Sequence, residues 1–278
     1  MSPRELALDW RLDGPTGAAF LVLVGAVACI YLAAARIGHQ RDRRHRPWPL
    51  RRTVCFLAGL AVLTIDLYSG IGAQADVRLS SHMVEHMVMW VLVAPLLAAG
   101  APVRLAFYAL PRRGRRTLAG ALRSWPVMTV THPGVCVCVF CAVLLVTHLP
   151  PVYGLALSND YAHELEHALY LVAALLVWVP ILRADPLPHR LGTRGRLASM
   201  AGCMLPMLLI AIWLDAVSRP VYGHYLGTLG PGAVRDQHLA AWIMLVGGIP
   251  AFAVPFAGKL RLPARRRPAL TPSVRVSA

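Results

Sequence analysis

His82-Met83-Val84-Glu85-His86-Met87-Val88-Met89-Trp90-Val91-Leu92-Val93-Ala94-Pro95-Leu96-Leu97-Ala98-Ala99-Gly100 carries two histidines and one carboxylate, all within its first five positions. The rest is apolar. About 20 such residues are enough for a helix to cross a bilayer, so this stretch is read as a membrane span with its polar residues gathered at one end. His82 and His86 stand four apart and therefore share one helix face. A second pair, His163-Glu164-Leu165-Glu166-His167, opens another apolar stretch in the same way. Polar groups in a membrane are costly, and two such pairs call for a function.

Apolar runs of spanning length recur along the 278 residues. Seven spans are expected, at Gly17–Ala35, Thr53–Ile71, His82–Gly100, Pro133–Leu149, Ala162–Leu182, Leu197–Val217 and Gln237–Phe256. Composition agrees, with 57% hydrophobic and only 15% charged residues and a mean hydropathy of +0.56. A soluble domain carries nearer ~25% charged residues. The expected fold is one all-α membrane bundle over residues 17–256, with an extracytoplasmic N-terminal segment 1–16 and a basic tail 257–278.

The basic residues orient the bundle. Segments 36–52, 101–123, 183–196 and the tail from Lys259 hold 23 of the 28 basic residues. These segments alternate along the chain and so lie on one side, which the positive-inside rule makes cytoplasmic. The N-terminus is then outside and the C-terminus inside. The net charge of +15 reads as a topology signal with attraction to anionic lipid, and calls for no nucleic acid. A competing reading takes Ala33-Ala34-Ala35 as a signal-peptide cleavage site. It would send the arginines of 36–52 across the membrane, and the first 16 residues lack a positive n-region. Residues 17–35 are therefore read as a retained span.

With this orientation the polar residues fall into one layer at the extracytoplasmic end. His82, Glu85 and His86 open the third span; Asp160, His163, Glu164, Glu166 and His167 open the fifth. His148 and Asp215 close the fourth and sixth, and Asp236, Gln237 and His238 open the seventh. Asp66 lies within the second span, five residues before its outer end. Several groups that avoid lipid must turn inward, and turning inward they converge.

Imidazole suits copper, zinc, iron and nickel, while thioether favours copper in its reduced state. His82, His86, His163 and His167 are the candidate ligands. Met83 and Met87 beside the first pair, with Met244 in the seventh span, tilt the expectation toward copper. Glu85 can orient an imidazole. Cys136, Cys138 and Cys141 read as small apolar residues of a helix, with no disulfide framework implied. Pro220-Val-Tyr-Gly-His-Tyr225 and residues 227–232 either cover the pocket or merely connect spans.

These residues resemble a known family. His82-Met83-x-x-His86-Met87, followed by Ala94-Pro95-Leu96-Leu97 and Gly100-Ala101-Pro102, is similar to the third-helix signature of the CtaG family, assembly factors of caa-type cytochrome c oxidase. His163-x-x-Glu166-His167-Ala168 with Trp178 and Pro180 resembles its fifth helix, and Asp236-Gln237-x-x-Ala240-x-x-Met244 its seventh. His148-Leu149-Pro150 and Asp66 also sit where the family has them, so the likeness covers about residues 50–256. The departures are Glu85 in place of glutamine, and His238 and Ala241 in place of glutamine and glycine. The resemblance implies a non-enzymatic protein that assists copper delivery to a heme–copper oxidase subunit, taking the ion from an extracytoplasmic donor. It carries over His82, His86, His163 and His167 as ligands, with Asp66 and Asp236 as supporting carboxylates.

Three other readings stand beside it. A zinc-dependent membrane hydrolase acting on lipid amides or esters would use the same histidines and Asp66, with Glu85 or Glu166 as general base. A b-type cytochrome would take one axial histidine from each pair. A purely structural membrane subunit needs no ligand at all.

Overall fold

The computed structural model describes residues 15–41 and 47–251, and every regular element among them is helical. Helix α1 runs Pro15–Arg41 and α2 runs Leu50–Tyr68, followed by the single turn Gly70–Ala73. Helix α3 covers 79–99 as Leu79–Val88, a π-helical turn Met89–Val93 and Ala94–Ala99, and α4 follows at Pro102–Ala109. Helices α5 (Arg112–Leu122) and α6 (Trp125–Val130) lead to α7 (Pro133–Thr147) and α8 (Pro150–Ser158). Helices α9 (Asp160–Leu182), α10 (Thr193–Ala216), α11 (Gly223–Leu229) and α12 (Ala233–Gly247) complete the order.

Among the described residues, four stretches are long and apolar enough to cross a membrane: Thr16–Gln40, Leu79–Ala109, Asp160–Leu182 and Thr193–Ala216. A fifth is formed if α7 and α8, bent by 74° to each other, count as one span. The bend has a local cause. Leu149 precedes Pro150-Pro151, and a residue before proline is driven out of the helical region; it is extended here, at φ −66° and ψ 130°. The second expected span falls short on its own residues, since helix α2 carries Arg51, Arg52 and Asp66 in its 19 residues; the seventh is described only as far as residue 251, with α12 ending at Gly247. Residues 1–14 of the expected N-terminal segment, the tail 257–278 and the end of the seventh span lie outside the described residues.

Helix α3 is the hub, packed against α2, α9 and α12. Gly59 lets α2 approach closely: a Cβ there would stand 2.9 Å from Leu97 Cδ2 and 3.1 Å from the Leu97 backbone nitrogen. Helix α1 lies at the edge against α2 and α4 and shows Val22, Leu23 and Ile30 outward.

The π turn in α3 follows from Pro95. The Ala94 N–H, which would serve the Trp90 carbonyl in a regular helix, reaches back to Met89 instead. Pro95, next in line, has no N–H to give. The Trp90 carbonyl is satisfied from α9, where the Trp178 indole donates to it at 2.7 Å. The two helices that carry the histidine pairs are thus joined by a buried hydrogen bond.

Candidate metal centre

Helix α3 starts without a cap of its own, since Arg78 makes no capping side-chain bond. Asp236 of α12 supplies one. Its carboxylate accepts from the Ser80 backbone N–H at 3.1 Å and from the Ser80 hydroxyl at 2.5 Å. A carboxylate there satisfies a helix-terminal donor and opposes the positive end of the helix dipole. Helix α9 is capped by Asn159, whose side chain accepts from the Ala162 N–H at 3.0 Å. Both histidine pairs therefore sit near the anchored starts of their helices.

The pairs meet. Ring centroids are 4.2 Å apart for His82 and His86, and 4.4 Å for His163 and His167. Across the helices, His82 stands 5.5 Å from His163 and 6.0 Å from His167, while His86 is 5.9 Å from His167. His148, at the C-terminus of α7, comes within 6.3 Å of His86. Its Nδ1 pairs with the Leu144 carbonyl at 2.8 Å.

Two carboxylates enter between the rings. Glu85 Oε2 is 3.9 Å from His82 Nδ1 and 3.7 Å from His167 Nε2. Glu166 Oε1 is 3.8 Å from His82 Nε2. All three separations are too long for a hydrogen bond. Both ring nitrogens of His82 and His86, Nε2 of His148, His163 and His167, and both Glu166 oxygens are buried without a hydrogen-bond partner among the described residues. Each such atom costs about 1–3 kcal/mol if nothing satisfies it.

Tested against a metal ion, the donors fit. One ligand atom from each of His82, Glu85, His163 and His167 lies within 4.8 Å of the others, and the same holds for His82, His86 and Glu166. Tetrahedral ligands at about 2.0–2.2 Å from a metal stand roughly 3.3–3.6 Å apart, so a modest contraction closes either group. Imidazole with carboxylate suits copper or zinc better than a hard ion served by oxygen alone.

Aromatic residues wall the cluster. Tyr170 stacks on His86 at 3.9 Å, and Tyr153 stands edge-on to His82 at 5.0 Å. The Tyr153 and Tyr225 hydroxyls are 2.6 Å apart, and Tyr225 donates to the Ala75 carbonyl at 3.0 Å. Tyr222 donates to the His148 carbonyl at 2.9 Å. The segment from Pro220 to Tyr225 is therefore a packed cover over this end of the bundle as well as a connection. Gln237 secures it, donating to the Leu214 carbonyl and accepting from the Val221 N–H.

The other sequence candidates lie as follows. Asp66 is buried, and Tyr68 two residues on donates to Glu164 at 2.8 Å, joining α2 to α9. Asp236 holds Ser80. Met87 packs on α12, where a Cβ at Gly247 would stand 2.8 Å from its Cγ; Met83 and Met244 are fully buried. Glu85 and Glu166, read from sequence as an orienting group and a member of the polar layer, stand among the histidines themselves. The six cysteines are free, with Cys141 donating weakly to the Gly202 carbonyl.

A polar cavity and an apolar one reach this cluster. The polar one, of about 170 Å³, is lined by Asp76, Glu85, Asp160, His163, Glu164 and His167 among others. An apolar slot of about 510 Å³ runs between α1, α2 and α9, from Glu164 and His167 to Asp185.

The family of cytochrome c oxidase caa3 assembly factors matches residues 29–261. Uncharacterised proteins of Mycobacterium tuberculosis and Mycobacterium leprae are 29% identical over 245 residues and 28% identical over 247. Each match covers 84% of this chain and 36% of the relative, so the chain spans about a third of their length. Disulfide bond formation protein B 1 of Pseudomonas fluorescens is 29% identical over 163 residues, 59% of this chain and 87% of that protein. No solved structure matches the chain.

Proposed function

Because the chain belongs to the cytochrome c oxidase caa3 assembly factor family, we propose that it carries copper at the histidine-rich end of its bundle for delivery to an oxidase subunit. In this reading the chain crosses the cell membrane seven times, with α2 and α12 as the shorter crossings. The N-terminus is outside, as the arginine distribution supports. The histidine cluster then faces the extracytoplasmic side, where a soluble donor protein can reach it.

One observation carries the reading: both ring nitrogens of His82 and of His86 are buried with no hydrogen-bond partner among the described residues, in groups of donors spaced for a metal ion. His163, whose side chain is 21% exposed, is the first ligand an ion meets from the polar cavity. Asp76, Asp160 and Glu164 draw a cation toward it. His82, His167 and Glu85 then hold the ion with His163, and His82, His86 and Glu166 form a buried group beside them, while Tyr170 and Tyr153 fix the ring planes of His86 and His82. Copper is cargo here, and no bond of a substrate is broken.

The test is metal analysis of the detergent-purified protein beside a His86→Ala, His167→Ala double variant. Copper in the parent and its loss in the variant support the reading; equal metal in both refutes it. Zinc in the parent would favour the hydrolase alternative, and a Soret band the cytochrome. Oxidase copper content in cells carrying the variant tests delivery separately, and a normal value would count against it.

A further inference from the structure

His82 is placed unlike the other histidines. Its ring is fully buried, and its two nitrogens face different carboxylates: Nδ1 is 3.9 Å from Glu85 and Nε2 is 3.8 Å from Glu166. Neither nitrogen has a hydrogen-bond partner among the described residues. Among the described residues, the two possible ligand groups share this residue alone, one completed by Glu85, His163 and His167, the other by His86 and Glu166. The first borders the polar cavity, which Glu85, His163 and His167 line. The second is closed off, with His86 against Tyr170 and Glu166 buried.

We propose that the cluster holds two metal ions at once, an outer and an inner one, on opposite edges of the His82 ring. The proposal rests on the reading of this cluster as a metal site and adds its stoichiometry. A neutral imidazole offers one lone pair and keeps one N–H. Binding the first ion uses the lone pair. Binding the second displaces the ring proton, which leaves for water through the polar cavity, and the deprotonated ring then ligates both ions. Glu85, Glu166 and this ring each bring one negative charge, which offsets much of the cost of placing two cations in a buried site.

The arrangement competes with a simpler one. Metal-bound histidines commonly donate their second N–H to a carboxylate. Under that alternative, one ion occupies one group and the other carboxylate only orients His82. The two differ in stoichiometry and in spin.

The experiment titrates the full chain in detergent with copper(II), removes unbound ion by gel filtration, and measures copper by elemental analysis and spin by electron paramagnetic resonance. Two equivalents are expected, with the integrated spin well below the copper content because the bridging ring couples the ions. Glu166→Gln and Glu85→Gln, close in shape to the parent, are each expected to retain one equivalent with full spin. His82→Ala is expected to abolish the coupling. A single equivalent in the parent, or two equivalents with full spin, would overturn the proposal while leaving a metal site in place. No bound copper in a correctly folded parent would instead overturn the reading on which it rests.

Discussion

Trp178 of α9 donates its indole N–H to the backbone carbonyl of Trp90 in α3, at 2.7 Å in the core. The bond fills an acceptor that the π turn and Pro95 leave without a helical donor. It also fixes the spacing of the two helices whose N-terminal ends carry the histidines. Trp178→Phe removes the donor and strands that carbonyl, at about 1–3 kcal/mol. The Trp90 indole N–H has no hydrogen-bond partner among the described residues, so Trp90→Phe should cost less. Thermal unfolding in detergent compares the two, and an equal loss would contradict the assignment.

Asp236 accepts hydrogen bonds from the Ser80 backbone N–H and hydroxyl at the start of α3. Asp236→Ala removes the cap of α3 and should cost about 0.5–2 kcal/mol. Ser80→Ala, which keeps the backbone N–H bond, should cost less. Both are measured by thermal unfolding. If Asp236→Ala abolished metal binding with no loss of stability, a direct ligand role would replace the capping one.

Gly59 sets the distance between α2 and α3. Leucine there would press on the Leu97 backbone as well as its side chain, and overpacking of this kind costs about 1–3 kcal/mol. Unfolding temperatures of Gly59→Ala and Gly59→Leu in detergent should fall in order of side-chain size. A leucine variant as stable as the parent would show that the two helices can part without loss.

Asp185, in the loop after α9, accepts the Arg104 N–H at 2.7 Å, near the start of α4. Burial pushes its carboxyl above the ordinary 3.8, with the Arg104 and Val103 N–H groups and the charges of Arg104 and Arg52 opposing. A carboxyl raised in the folded state stabilises fully below its unfolded value, and that contribution is lost as pH rises through the folded value. Asp185→Asn should therefore flatten the fall in unfolding temperature between about pH 4 and the raised value. A parallel profile in parent and variant would contradict it.

The histidine pairs are legible in the sequence because four-residue spacing is a property of one helix. So is their shared end of the bundle, because both pairs open their spans. Glu166 is not legible as a neighbour of His82. That contact depends on how α9 is rotated against α3, which no local pattern records. Asp236 illustrates the reverse: its place beside the site is readable, while its bond to Ser80 depends on where α3 begins. The break after His148 is signalled by Pro150-Pro151, yet an apolar run hides a bend from any count of span length.

The π turn has a further consequence, best put as phase. It holds one residue more than an α-helical turn, so the two halves of α3 are rotated against each other by about 100° relative to an unbroken helix. That offset lets one helix turn His86 onto Tyr170 near its N-terminal end and Leu97 onto Gly59 near the other. Deleting one residue between Met89 and Val93 would restore the regular repeat, and one of those two contacts would have to be given up.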